Sequence, residues 1–99
     1  MKIYIAGPME PVGYDRNAFL KAAAQLREAE YRVANPVGLP VRDSREARQR
    51  DRLREILDAS GVAVLDGWQT SAIAAFEVMV AQRLNLPVLT VNRWIEVAS

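Results

Sequence analysis

The sequence contains no cysteine and no histidine. Without cysteine there are no disulfides, no thiolate nucleophiles and no cysteine-based zinc sites, and redox chemistry is not expected. Without histidine the Ser-His triads, the paired-histidine metal motifs and the usual near-neutral proton shuttle are excluded. Any acid–base chemistry has to fall to carboxylates, tyrosine or lysine. No metal and no cofactor is expected.

A dominant charge is missing as well. Thirteen Lys and Arg stand against 12 Asp and Glu, a formal net charge of +1, so no large field is set up for a nucleic-acid polymer or a membrane surface. Long apolar runs are also lacking: the opening "MKIYIAGPM" is too short for a signal segment or a spanning helix, and a cytoplasmic protein is expected. What remains is 51% hydrophobic and 25% charged over 99 residues. That is the balance of an ordinary globular chain of one domain, residues 1–99.

Along the chain the hydrophobic period switches regularly. "KIYIAG" reads as a buried strand stopped by Gly-Pro. From Asp15, a plausible N-cap, apolar residues fall at helical spacing through Phe19, Ala22, Ala23 and Leu26. "YRVANP" is a second strand ended by Pro36, and "VGLPVRD" a loop. The mixed-charge run "RDSREARQRDRLRE" continues as a helix through Leu53, Ile56 and Leu57. Composition alone makes it a solvated face, and Gly61 is its expected left-handed cap. "VAVLDGW" is the third strand with its turn, Ser71 to about Leu84 the third helix, and "LPVLTVN" the fourth strand.

The order β-α-β-α-β-α-β predicts right-handed crossovers and a small three-layer α/β/α domain. Its parallel sheet has four to five strands and is flavodoxin- or Rossmann-like. In such sheets ligands bind beyond the carboxyl ends of the strands, at the switch in strand order. That places candidate binding residues in three loops: Gly7, Pro8 and Met9, then Asn35, then Asp66, Gly67 and Trp68. Gly-Pro and Asp-Gly are also ordinary turn formers. Trp68 is either a pocket wall or a lid on the core. Thr70 or Ser71 caps the third helix, whose first amides then form a potential anion seat.

Within "SAIAAFEVMVA" the single carboxylate, Glu77, is the anomaly. Its neighbours three and four residues away are Ile73, Ala74, Val80 and Ala81. Either Glu77 points to solvent, or it faces a cavity with a partner and a shifted pKa. Tyr4 in the first strand is a reachable partner.

Taken in order, "YIAGPM", "NP" after the second strand, an acidic residue in the second helix and Gly-Trp-x-x-Ser-x-x-Ala-x-x-Glu resemble the nucleoside 2-deoxyribosyltransferase-like superfamily. The likeness is to its small phage and bacterial DUF4406-type proteins and to the related 2′-deoxynucleoside 5′-phosphate N-hydrolases, and it covers nearly the whole chain. The resemblance implies that Glu77 is the nucleophile attacking the anomeric carbon, that Asp51 helps the base depart by proton donation, and that Tyr4 positions Glu77. It also implies that Ser71, six residues before the nucleophile, favours a 5′-monophosphate, where relatives acting on free nucleosides carry aspartate. A retaining glycosyl transfer through a covalent intermediate fits a chain without histidine. The expected ligand is a small nucleotide or nucleoside, and the expected assembly a homodimer or larger, with Trp94 or Ile95 near the interface. Ile73 departs from the family pattern, standing where relatives carry glycine. It supports the rival expectation of a nucleotide-binding oligomer of the same fold without turnover.

Overall fold

A computed structural model describes residues 1–99. Four strands, β1 (Lys2–Ala6), β2 (Arg32–Ala34), β3 (Gly61–Val64) and β4 (Val88–Thr90), form one parallel sheet in the order β2-β1-β3-β4. The helices are α1 (Arg16–Glu28), α2 (Arg45–Leu57), α3 (Ala72–Arg83) and α4 (Val91–Ala98). Strand order reverses between β1 and β3, so the switch point lies where the loops after Ala6 and Val64 leave the sheet.

The period-two pattern of β1 divides the core. Ile3 and Ile5 pack with Phe19, Ala22 and Leu26 of α1 and Trp94 of α4. Tyr4 and Ala6 face the other way, toward Ile56 of α2 and Val78 and Ala81 of α3. The result is three layers, with α1 and α4 on one face and α2 and α3 on the other.

Local chemistry sets the helix ends. Asp15, Ser44, Ser71 and Thr90 cap the four helices through side-chain oxygens that accept from backbone N–H groups. Helices α1 and α3 both close in a left-handed residue, Glu30 (φ 73°) and Asn85 (φ 58°). In each, the next residue's N–H reaches back to the last turn, from Tyr31 to the Leu26 carbonyl at 3.1 Å and from Leu86 to the Ala81 carbonyl at 2.9 Å.

Two expectations are corrected. Gly61 is not a left-handed cap: α2 ends on Asp58, and Gly61 starts β3, where a Cβ would lie 2.5 Å from the Trp94 ring. The tail beyond Thr90 does not extend the fourth strand, because Thr90 caps α4. Trp94 of that helix packs on the chain's own core. It is 2% exposed, donates its indole N–H to the Val62 carbonyl at 2.9 Å, and meets Tyr31 edge-on at 5.6 Å. The sheet has four strands, within the expected four to five.

Candidate active site between α2 and α3

Only three charged or polar residues are buried, Arg52, Ser71 and Glu77, and all belong to the α2–α3 side. Glu77 lies one and a half turns into α3 on the stripe that carries Ala74, Val78 and Ala81, so the helix period turns it inward. It is 1% exposed. The Tyr4 hydroxyl donates to its Oε1 at 2.9 Å, and the Arg52 Nε–H donates to its Oε2 at 2.7 Å. The reachable partner expected in β1 is thus in contact.

Arg52 is the residue that pattern reading passes over, hidden in a run of alternating charges. Its signal is the helix period: Ile56 and Ala59, four and seven positions on, are both buried. Its stem follows that stripe inward while its guanidinium reaches Glu77.

Burial pushes the Glu77 carboxyl above the ordinary glutamate value, and the opposing pulls of Arg52 and then Tyr4 do not fully offset it. Burial, reinforced by the charge of Glu77, drives the Tyr4 phenol well above its ordinary value. Tyr4 therefore stays protonated and acts as a fixed donor that orients Glu77.

A cleft of about 790 Å³ opens between α2 and α3, walled by Met9, Glu10, Arg48, Gln49, Arg52 and Ile73 among others. Glu77 and Tyr4 do not line it, and Arg52 stands between them and it. A smaller hollow of about 160 Å³ shares Met9, Arg48 and Arg52 with it and adds Pro36 and Asp51. Arg52 both borders the cleft and covers Glu77.

The first amides of α3 are already engaged. Glu10, from the loop after β1, accepts from the Ser71 hydroxyl at 2.7 Å and from the Ile73 N–H at 3.0 Å. The Ser71 oxygen in turn accepts from the Ala74 N–H at 3.0 Å. Partial desolvation raises the Glu10 carboxyl, but the hydrogen bonds from Ser71 and Ile73 outweigh it and hold the group below its ordinary value. A carboxylate of the chain thus occupies the place where a helix N-terminus attracts an anion. Nothing in the local sequence around Glu10 signals this contact, since its partners lie more than sixty residues away.

Other expected site residues are spread around the sheet. Met9 and Asp51 reach the α2–α3 side. The Asp51 carboxylate does not touch Glu77; Arg42 and Arg54 hold its two oxygens at 2.7 and 2.9 Å. The Arg42 hydrogen bond above all keeps it below the ordinary aspartate value. Pro8 and Asp66 border a separate hollow of about 540 Å³ on the α1 side. Asn35 uses its side chain to cap the short turn at Pro36–Gly38, accepting from the Val37 N–H at 3.1 Å, and lines a third hollow beside Lys2 and Arg16. Gly7 is pressed against Leu65, where a Cβ would fall 2.9 Å from that side chain. Gly67 takes φ 86°, which turns the chain into the short helical segment Trp68–Thr70. Trp68 itself is a lid, packed half-buried on the core beneath α3.

Residues 1–90 match the family described as a domain of unknown function (DUF4406). The chain belongs to that family. No curated protein matches it. In this DUF4406 chain the matched span takes in the whole sheet, α1 to α3 and every residue of the Tyr4–Glu77–Arg52 cluster. Helix α4, which closes the other face, begins where the match ends. No helix is long and apolar enough to cross a membrane.

Proposed function

We propose that the chain binds a 2′-deoxynucleoside 5′-monophosphate in the α2–α3 cleft and cleaves or exchanges its N-glycosidic bond in the cytoplasm, with Glu77 as nucleophile. The observation that carries this reading is a single buried carboxylate, oriented by the Tyr4 hydroxyl and joined through Arg52 to a cleft large enough for a nucleotide. Attack by Glu77 on the anomeric carbon breaks the bond to the base and forms a glycosyl ester. Water or a second base then takes the sugar and restores the carboxylate. Because Tyr4 is held protonated, it fixes the carboxylate without competing for the proton. On this reading Asp51, which borders the smaller hollow, assists the leaving base. To act as a donor it has first to leave Arg42 and Arg54, which hold it ionised, and take up a proton.

Incubation with a panel of deoxynucleotides, followed by chromatography of free base, tests the proposal. Base release that disappears in Glu77→Gln supports it. Release that persists in that variant overturns the role of Glu77.

One observation favours a second reading, a nucleotide-binding protein without turnover. Both oxygens of Glu77 have partners, and the Arg52 guanidinium shields Oε2 from the cleft. Ile73 narrows the same cleft. Binding of nucleotides with no base released from any of them selects this reading. On either one, self-association uses the outer face of α3, where Phe76, Met79 and Leu84 are 36%, 45% and 46% exposed. Light scattering that gives a monomer at all concentrations removes that part of the proposal.

A further inference from the structure

Arg45, Arg48 and Arg52 follow one another at i, i+3 and i+7 on α2, and all three border the 790 Å³ cleft. No carboxylate forms an ion pair with Arg45 or Arg48. Arg48 spends one Nη1 donor on the Arg42 carbonyl at 2.8 Å, which leaves its charge uncompensated. Arg52 is the telling member. Its residue is only 8% exposed, its Nε–H holds Glu77, and neither Nη group donates to a protein acceptor. No buried side-chain nitrogen or oxygen is left without a partner, so these Nη donors open onto the cleft. A guanidinium this deeply set, whose Nη donors are nevertheless open to the cleft, is placed to bind an acceptor arriving from that side.

The opposite wall offers an anion nothing comparable. There the α3 amides and Ser71 already hold Glu10, which presents negative charge. An incoming anion is repelled from the helix N-terminus and attracted to the arginine stripe.

We propose that Arg45, Arg48 and Arg52 form the seat of a phosphate-class dianion, and that filling this seat draws Arg52 away from Glu77 and uncovers its Oε2. Guanidinium groups bind phosphate through paired N–H donors, and a dianion shared among three of them competes with a single carboxylate for Arg52. The exchange leaves Glu77 with Tyr4 alone. Covered and uncovered forms are two discrete arrangements of one side chain, and the ligand selects between them by its differential contact with Arg52. The naming of this dianion as the substrate's 5′-phosphate rests on the proposed function above.

Titration with inorganic phosphate at constant ionic strength, following the arginine Nε–H resonances by NMR, tests the seat directly. The Arg52 Nε–H signal is expected to shift in a saturable way with phosphate and not with chloride. Affinity should fall by about tenfold or more in Arg48→Gln and further in Arg45→Gln/Arg48→Gln, while Ser71→Ala leaves it within about twofold. Both arginines are exposed, so these variants do not threaten the fold. An Arg52 signal that ignores phosphate, an equal response to chloride, or phosphate affinity that follows Ser71 rather than Arg48 overturns the proposal. Calorimetry with 2′-deoxyadenosine 5′-monophosphate and 2′-deoxyadenosine adds the nucleotide arm: the nucleotide should bind about tenfold tighter, and the gap should close in the double variant. A gap that survives there overturns the assignment of the 5′-phosphate to this stripe. None of these readings depends on base release. Seat binding without release defeats the glycosidase alone, and release without seat binding defeats the seat alone.

Discussion

The two faces of one sheet solve the same burial problem with different chemistry. Toward α1 and α4, β1 sends Ile3 and Ile5, and the core is hydrocarbon closed by Trp94, whose one polar atom is satisfied by Val62. Toward α2 and α3 the same strand sends Tyr4, and the core there takes in a carboxylate and a guanidinium. The difference is not one of stability, because a buried ion pair is commonly matched or exceeded by well-packed apolar residues of similar volume. A face that retains Glu77 and Arg52 beside a cleft is organised around its charge, whereas the other is organised around its volume.

The sharpest way to break this contrast is to treat the charged face as if it were only packing. Arg52→Ala and Glu77→Ala each leave an unpaired buried charge and should lose about 3–5 kcal/mol in urea denaturation. Arg52→Met combined with Glu77→Leu should recover most of that loss, and the coupling in the double-mutant cycle measures the pair. If the singles cost no more than the double, the pair is not desolvated as described, and the distinction between the faces fails.

How much of this was legible beforehand follows the same division. The apolar face is readable because it is periodic: Phe19, Ala22, Ala23 and Leu26 announce α1, and the strands announce themselves as short apolar runs. Its one failure, α4, comes from "VLTVN", where β-branched residues mask the change from strand to capped helix at Thr90. On the charged face Glu77 stood out as a lone acid among apolar residues, and Tyr4 could be named as its partner. Arg52 could not be separated from Arg50 and Arg54 by composition, only by its spacing to Ile56 and Ala59. Glu10 was beyond reach, because its meeting with Ser71 and Ile73 is made by the fold and not by any local pattern. The spread of Pro8, Asn35 and Asp66 among separate hollows has the same origin: strand-end loops share an edge of the sheet but leave it toward different faces.

A volume test probes the apolar face. Gly61→Ala puts a methyl into the Trp94 ring, with contacts at 2.5 and 2.6 Å, and overpacking of this kind costs about 1–3 kcal/mol. Thermal melting should show the loss while phosphate affinity stays at the wild-type level. A fall in phosphate affinity as large as that of Arg48→Gln would show that the faces are coupled through β3, contrary to the division drawn above.

The smallest effect separates two carboxylates that lie on the same side of the sheet. Burial raises Glu77 above the ordinary value of 4.5, so the folded chain binds that proton more tightly than the unfolded one. Its contribution to stability is full below pH 4.5 and declines as pH rises toward the folded value. Glu10 is shifted the other way: its contribution is present above 4.5 and is lost as pH falls through its depressed folded value. Urea midpoints across about pH 3 to 7 should therefore lose a downward slope in Glu77→Gln and an acid-side loss in Glu10→Gln. Because Glu10 is only partly buried at the α3 N-terminus, its removal should cost about 1 kcal/mol or less near neutrality. Ser71→Ala, which deletes the cap of α3 as well as a donor to Glu10, should cost about 1 kcal/mol. If both variants bent the pH profile in the same direction, Glu10 would not be the part-buried, amide-held anion that leaves the arginine stripe as the open seat.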